Sequence, residues 1–152
     1  MSDDKLFQKA LEYILTASKT ERQVRQWLFK KRKEGEFLDV DAIITRLKEL
    51  GYINDAEYAK NFTETKQTRY GKKSIQQRLM QKGVDRESIN IAVSEITDQT
   101  ELATTLAEKY MRNKNADQKT MQKLYRFLLS KGFDYDTVNY VTNKYKVKGD
   151  HE

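Results

Sequence analysis

The chain of 152 residues contains no cysteine and no proline. Without cysteine it can form neither disulfides nor thiolate metal sites, which fits a cytoplasmic protein. Average usage would give roughly eight prolines in a chain of this length, and only six glycines interrupt this one. Because so few residues break helices, the chain is expected to be mostly helical.

Groups typical of catalysis and metal binding are also scarce. The single histidine, His151, lies one residue from the end, where chains are usually loosely held. The stretch "GKKS" from Gly71 to Ser74 is not a phosphate-binding loop, because lysine stands where the first glycine belongs and no strand precedes it. Acidic residues cluster at predicted helix starts, where carboxylates favour the helix dipole. We therefore expect no enzyme, no metal and no cofactor.

Membrane segments are not predicted either. No apolar run exceeds three residues, which is far too short to span a bilayer. The start "MSDDKLFQKALEYIL" lacks a basic region followed by an apolar one, so no signal peptide is expected. The formal charge is +6. This charge either attracts an anionic partner, most often nucleic acid, or only keeps the protein in solution.

The hydrophobic periodicity predicts nine helices and no strand. Thr20 with Gln23 forms a capping box, and Asn54 with Glu57 has the same spacing. Other predicted helix starts are Asp39 or Asp41, Asp85, Asp98 and Asp134. Three glycines stand where helix-ending glycines belong: Gly51, Gly83 and Gly132.

The middle of the chain is repeated. "SIQQRLMQKGVDRESINIAV" aligns with "KLYRFLLSKGFDYDTVNYV" at a constant offset, which places Ile75 on Leu124 and Lys82-Gly83 on Lys131-Gly132. The N-terminal stretch from Gln23 fits the same pattern with a longer loop. We predict three-helix, helix-turn-helix-like units at residues 1–53, 54–97 and 98–147, followed by a tail at 148–152. Because small units must pack on their neighbours, the fold class is an all-α, elongated and curved array.

Positive charge is concentrated in the second and third units. Residues 60–86 contain eight basic and two acidic side chains, and residues 109–131 contain seven and one. In "TRYGKKSIQQRLMQKG" several of these cations stand at a helix start, where the dipole disfavours them. Either the charge is solvated or an anion binds there. Tyr70, within this stretch, could stack on a base or wedge against the next helix.

Two motifs resemble the RecX family of bacterial recombination regulators. They are "GYINDAEYAKNF" from Gly51 and "RYGKKSIQQRLMQKGV" from Arg69, and "LLSKGFDYDTV" supplies the signature of the third unit. The first unit departs from the family pattern at Lys19 and Val24. The resemblance implies a protein that lies in the groove of a RecA filament on single-stranded DNA. Such a protein would inhibit ATP hydrolysis, strand exchange and co-protease activity, and so regulate DNA repair and the SOS response.

The predicted contacts to the filament or its DNA combine these motifs with the basic helices. We expect the partners to be RecA and single-stranded DNA, bound directly or through the filament, and we expect a monomer. The predicted binding residues are Arg69, Tyr70, Gly71, Lys72, Lys73, Arg78, Lys82, Lys123, Arg126 and Lys131. One alternative is a helix-turn-helix protein that reads duplex DNA, because the helix pairs around Gly83 and Gly132 could pass for that motif. Another is an RNA-associated helical adaptor.

Overall fold

The structure is a computed structural model that describes residues 3–32 and 39–149, with side chains for 4–32 and 39–145. Within these ranges the chain forms nine α-helices and no strand, which confirms the all-α prediction. The helices are α1 (Asp3–Thr16), α2 (Glu21–Lys31), α3 (Val40–Glu49), α4 (Asp55–Lys66), α5 (Lys72–Gln81), α6 (Arg86–Ser94), α7 (Thr100–Met111), α8 (Gln118–Ser130) and α9 (Tyr135–Gly149). His151 and the tail beyond residue 149 lie outside the described residues.

Most helices begin and end at the residues that the sequence indicates. Thr20 forms the predicted capping box with Gln23. The side chains of Asp39, Asn54, Asp85 and Asp134 each accept a hydrogen bond from the third residue after them. The three predicted helix-ending glycines all have positive φ angles, a conformation that glycine adopts without steric penalty.

Two helix starts differ from the prediction. Asp98 precedes α7 by two residues, and its carboxylate accepts a hydrogen bond from the Thr100 N–H. The cap position itself is Gln99, whose side chain bonds elsewhere. The sequence patterns predict no start for α8, which Asp117 caps by accepting a hydrogen bond from the Thr120 N–H. The capping chemistry is the expected one, but its register depends on tertiary contacts.

The helices form three units: unit 1 (α1–α3), unit 2 (α4–α6) and unit 3 (α7–α9). Each unit has its own hydrophobic cluster, and no cluster contains residues from two units. The repeat alignment is confirmed by burial, because aligned positions are fully buried in all three units. These positions are Val24, Ile75 and Leu124 in one set and Leu28, Leu79 and Leu128 in the next. The residue limits proposed for the three units stay predictions.

The surface area agrees with an extended arrangement of these units. The accessible surface is 10333 Å², whereas a compact monomer of 18.0 kDa would expose about 8,000 Å². Small separate cores also leave several apolar side chains outside. Leu15 and Leu50 are 73% and 56% exposed, and Trp27 is only partly buried.

Candidate polyanion-binding surface

Units 1 and 2 meet where the start of α2 lies against the end of α5. The Thr20 hydroxyl, fully buried, donates a hydrogen bond of 2.6 Å to the Lys82 carbonyl oxygen. The Asp55 carboxylate accepts one of 2.9 Å from the Glu21 N–H. Burial is the main cause that raises the pKa of Asp55 above its ordinary value. Side chains therefore make this junction.

Units 2 and 3 meet in the same way, with the start of α5 against the end of α8. The Gly71 N–H donates to the Lys131 carbonyl oxygen at 2.7 Å, and the Lys73 N–H donates to that of Gly132 at 3.0 Å. A Cβ atom on Gly71 would lie 2.3 Å from the carbonyl carbon of Gly132. This junction is therefore a backbone-to-backbone contact that two glycines permit.

The side chain of Gln99 completes the second junction. Its Oε1 accepts from the Lys72 N–H at 3.0 Å, and its Nε2 donates to the Tyr70 carbonyl oxygen at 2.9 Å. The glutamine thus joins the segment before α7 to the start of α5. Together the two junctions place α2, α5 and α8 head to tail, with the start of each helix against the end of the next.

This head-to-tail order explains the cations at the start of α5. The carbonyl end of α8, which carries the negative end of its dipole, lies against the N–H groups of Gly71 and Lys73. The positive charge of Lys72 and Lys73 is therefore close to a source of negative potential within the chain. Because these N–H groups are already bonded, the start of α5 is not an open anion site.

A recurring pattern of lysines and aromatic rings lies along the first two helices of each unit, and we name it the cation–aromatic seam. In the first helix of each unit, the aromatic ring belongs to the third residue after a fully buried alanine. In the second helix, the lysine is the third residue after a fully buried leucine. The ring positions are Tyr13, Phe62 and Tyr110. The lysines are Lys31, Lys82 and Lys131.

The seam differs in unit 2. In units 1 and 3 the first-helix ring stacks on a second-helix ring, Tyr13 on Trp27 and Tyr110 on Phe127, with centroids 5.0 and 4.8 Å apart. In unit 2 the corresponding second-helix position is Arg78, whose guanidinium lies over Tyr70 at 4.0 Å. Phe62 therefore has no ring of the second helix against it, and it lines an open groove.

That groove, which we name the junction groove, lies between α2 of unit 1 and α4 and α5 of unit 2. Its volume is about 460 Å³, and its walls contain three glutamines, Phe62 and no carboxylate. Lys66 and Lys82 each place their Nζ atom 5.8 Å from the Phe62 ring centre. The basic side chains of the groove are Arg22, Lys66, Arg78 and Lys82.

A second groove, of about 520 Å³, lies beside the junction of units 2 and 3 and is electrostatically mixed. Lys72 and Lys73 line it together with Asp98 and Asp134. Hydrogen bonds from Thr137 are the main cause that holds the pKa of Asp134 below its ordinary value, and Lys73 and Lys72 lower it further. The lysines of this groove therefore have carboxylates near them, unlike those of the junction groove.

Ion pairs are confined to unit 1 among the described side chains. Arg25 pairs with Glu21 and Asp41, Arg46 with Asp4, and Lys48 with Glu21. The Glu21 hydrogen bond is the main cause that raises the pKa of Lys48. In the described parts of units 2 and 3, no lysine or arginine lies within 4.0 Å of a carboxylate oxygen. Apart from Lys72 and Lys73, which share a groove with two carboxylates, the cations of these units are therefore available to an outside anion.

The predicted site residues do not form one cluster. Arg78 and Lys82 share the junction groove, and Lys72 and Lys73 share the second groove. The half-buried Tyr70 packs on the core of unit 2 and lies 5.9 Å from Lys131. Arg69, Lys123 and Arg126 are exposed, and none of them lines either groove.

Gly71 needs a correction, because the close approach expected of it is to Gly132 of the same chain. It is buried in the second junction, so we leave it out of the proposed surface. Sequence reasoning also missed Arg22 and Lys66. Two regularities bear on them: Arg22 aligns with Lys73 in the repeat, and Lys66 and Lys114 each follow a fully buried alanine of the first helix by seven residues.

The described residues meet the requirements neither of a metal site nor of a membrane-spanning helix. No three His, Asp or Glu side chains among them come together as a metal site would require. None of the described helices combines the length and the apolar character that crossing a bilayer requires.

Comparison with known proteins connects this architecture to one family. The model of the second three-helix domain of RecX matches residues 54–93, and that of the third matches residues 97–142. A regulatory protein RecX from Listeria monocytogenes is 34% identical over 131 residues, which cover 82% of this chain and 48% of the relative. One from Clostridium botulinum is 36% identical over 141 residues, covering 89% and 66%.

Solved structures agree with this result. The crystal structure of RecX from Lactobacillus salivarius superimposes with a TM-score of 0.81 at 29% identity, covering 95% of this chain and 96% of that one. A second structure of regulatory protein RecX gives a TM-score of 0.82 at 28% identity, covering 93% of this chain and 71% of that one. The chain spans about half the length of the Listeria relatives. With both domain models and these relatives matched, this chain belongs to the RecX family.

Proposed function

We propose that this protein regulates homologous recombination by binding the RecA filament on single-stranded DNA in the cytoplasm. Binding inhibits ATP hydrolysis, strand exchange and co-protease activity, and the protein itself catalyses no reaction. The observation that carries the proposal is the unpaired positive charge of units 2 and 3 in a member of the RecX family. Membership of the RecX family indicates the partner, and the unpaired charge provides the electrostatic attraction to it.

The physical argument is electrostatic. A filament on single-stranded DNA presents phosphates along its length, and cations that are not neutralised within their own chain attract such a polyanion. An elongated array can place several basic helices along that length at once. Because surface charges are screened by salt, inhibition should weaken as the salt concentration rises.

The duplex-reading alternative gains no support from the helices that would enter the major groove. In a helix-turn-helix pair the second helix contacts bases with its N-terminal residues. Here those helices are α6 and α9, and both begin with carboxylates. Asp85 and Glu87 stand at the start of α6, and Asp134 and Asp136 at the start of α9. Negative charge at these positions opposes contact with phosphates.

A charge-reversal variant tests the proposal. Replacing Arg69, Lys72 and Lys73 by glutamate together should leave the helical content unchanged and abolish inhibition of the filament ATPase. Lys73 lies near Asp134, so glutamate at position 73 could disturb the second junction. A second variant, in which Arg69, Lys72 and Lys73 are all replaced by glutamine, is therefore measured in parallel to separate lost attraction from this disturbance. The readout is steady-state ATP turnover by the recombinase on single-stranded DNA.

The matched control reverses three exposed basic residues of unit 1, Lys9, Lys30 and Arg32, and thus makes the same change in net charge. This control should keep most of the inhibition. Full inhibition by the Arg69, Lys72 and Lys73 variant would rule out these residues as the filament contact.

A further inference from the structure

The junction groove is lined by basic side chains from both of the units that form it. Arg22 comes from the first turn of α2 in unit 1, whereas Lys66, Arg78 and Lys82 belong to unit 2. None of the four forms an ion pair among the described side chains, and no carboxylate lines the groove. The second groove, in contrast, has two carboxylates beside its lysines. The junction groove is therefore the one of the two that favours an anion.

The polar groups of the groove offer hydrogen-bond donors to a ligand. The Nε atom of Arg78 donates to the Ser74 hydroxyl at 3.2 Å, and its guanidinium lies over the Tyr70 ring. These contacts hold the guanidinium in place and leave its other N–H groups for a ligand. The Oε1 atom of Gln23 accepts from the Thr20 N–H at 3.0 Å, which leaves the NH2 group of this glutamine as a further donor. A set of donors of this kind binds an oxyanion.

The number of positive charges indicates how large the anion is. One phosphate group carries a charge of about −1.5 to −2 at pH 7, which balances at most about half of four cations. A chain of linked phosphates carries more charge and can reach the cations of both units. The groove volume of about 460 Å³ is typical of small-molecule sites. Guanidinium groups bind phosphate oxygens through two parallel hydrogen bonds, and lysines add point charges, so the groove suits a linear oligophosphate.

The aromatic ring of the groove is already in contact with other side chains of unit 2. Phe62 stacks on Tyr58, with the ring centres 6.1 Å apart. The Nζ atoms of Lys66 and Lys82 each lie 5.8 Å from the centre of the Phe62 ring, where the ring helps to hold both lysines at the groove. Recognition in this groove therefore depends on phosphates and not on a base.

A ligand in the groove would connect two units that the chain joins through side chains. The Thr20 hydroxyl donates to the Lys82 carbonyl oxygen across the junction. The guanidinium of Arg22 lies 3.5 Å from the carbonyl oxygens of Met80 and Gln81, which is long for a hydrogen bond. A phosphate is a stronger partner for a guanidinium than a carbonyl group is. A ligand held by both units stabilises the arrangement of the units in which it contacts both.

We propose that the junction groove binds a linear oligophosphate, and that the bound ligand fixes the angle between units 1 and 2. The phosphates contact Arg22 of unit 1 and Lys66, Arg78 and Lys82 of unit 2. The ligand is an inorganic oligophosphate or the phosphate chain of a nucleotide. This site goes beyond the proposed filament regulation, because its ligand is a small molecule that acts on the shape of the isolated protein.

Isothermal titration calorimetry of the full chain with sodium tripolyphosphate tests the site. Binding should be saturable at about 0.15 M salt, where weak surface attraction is screened. The double variant Lys66→Gln with Lys82→Gln should bind at least about tenfold more weakly, because two charge-assisted contacts are lost. The matched control, Lys9→Gln with Lys109→Gln, makes the same charge change at exposed positions outside the groove and should lose less than about threefold. Equal losses in both double variants, or no saturable binding by the wild type, would overturn the assignment.

Two further ligands identify the source of the phosphates. Orthophosphate should bind at least about tenfold more weakly than tripolyphosphate, because it balances fewer of the cations. Orthophosphate that binds as tightly as tripolyphosphate would rule out an oligophosphate site. ATP without magnesium that binds as tightly as tripolyphosphate assigns the groove to the phosphate chain of a nucleotide, and weaker binding of ATP assigns it to an inorganic oligophosphate.

Distances between spin labels test the effect on the angle between the units. Because the chain contains no cysteine, labels can be attached at Gln8→Cys in unit 1 and Asn90→Cys in unit 2, both at exposed positions. Tripolyphosphate should narrow the distribution of distances between these labels. It should leave unchanged the distribution between Asn90→Cys and Asn139→Cys, which lie on units 2 and 3. An unchanged first distribution with ligand bound, or equal narrowing by sodium sulfate at the same ionic strength, would contradict the proposal.

Discussion

The two junctions of the array use equivalent helix ends but different atoms. At the junction of units 1 and 2, a threonine hydroxyl, an arginine and a carboxylate reach across from one unit to the other. At the junction of units 2 and 3, N–H groups of α5 bond directly to carbonyl groups of α8. A groove lies beside each junction, but only the junction groove between units 1 and 2 has walls without a carboxylate. The second junction brings two backbones together.

This difference indicates a division of roles along the chain. A backbone contact between glycines tolerates almost no change in spacing, so it should fix units 2 and 3 relative to each other. A contact through side chains can adjust by rotamer changes, so the angle between units 1 and 2 should vary more than the angle between units 2 and 3. The glycines, the cap residues and the carboxylates each provide a way to test this comparison.

The largest effect is expected from Gly132→Ala. Its φ of +96° disfavours any other residue, and the new Cβ would lie 2.4 Å from the Ser74 nitrogen. Backbone strain and overpacking together should lower the free energy of unfolding by about 3 kcal/mol. Urea unfolding followed by circular dichroism measures it.

Gly51→Ala is the matched control, because Gly51 also has a positive φ but no atom within 4 Å of the new Cβ. It should cost only about 1 kcal/mol. Gly83→Ala should fall between them, since its Cβ meets the side chain of Arg22 rather than backbone. Equal costs at Gly51 and Gly132 would mean that the second junction is not the tight contact described.

A smaller effect is expected from Thr20→Val at the first junction. The substitution keeps the shape but removes both the helix cap and the hydrogen bond to the Lys82 carbonyl. The loss should be about 2 kcal/mol. Thr20→Ser retains the hydroxyl and should cost less, and a serine variant as unstable as the valine variant would argue against a role for that hydrogen bond.

The smallest effects are on the pH dependence of the free energy of unfolding, and they have opposite signs at the two junctions. The pKa of Asp134 is lowered in the folded chain, so its stabilisation is present above pH 3.8 and is lost as the pH falls through the folded pKa. Asp134→Ala should therefore cost about 1 kcal/mol at pH 7 and progressively less below pH 3.8.

Asp55 behaves in the opposite way, because its pKa is raised mainly by burial. The folded state disfavours its ionised form, and this penalty is present at neutral pH and disappears below pH 3.8. Asp55→Asn should thus be at least as stable as the wild type at pH 7, with no advantage at pH 3. Thermal unfolding at both pH values measures the two variants, and a large loss of stability in Asp55→Asn at pH 7 would contradict this account.

Much of the fold follows from local signals in the sequence. The capping residues and the helix-ending glycines depend on backbone conformations that few residues can satisfy, so Thr20, Asp85 and Gly83 could be placed without tertiary information. The repeat offset also gave the aligned core positions correctly. The exposure of Leu50 could not be predicted, because a small unit covers only part of the apolar surface that its helices offer.

The candidate surface was only partly accessible to sequence reasoning. The charge pattern indicates Arg78 and Lys82 as candidates, but the groove that they line exists only because unit 1 supplies Arg22 across a junction. The sequence predicts Gly71 as a contact point because nothing in it reveals that the neighbour of Gly71 is Gly132. What a helix end faces is decided by how units pack, and no local pattern encodes it.

The central claim is tested most directly by titrating this protein into a recombinase that hydrolyses ATP on single-stranded DNA, at two salt concentrations. The account predicts inhibition that saturates with added protein and weakens at the higher salt concentration, because unpaired cations of units 2 and 3 provide the attraction. Unchanged ATP turnover at both salt concentrations would contradict it.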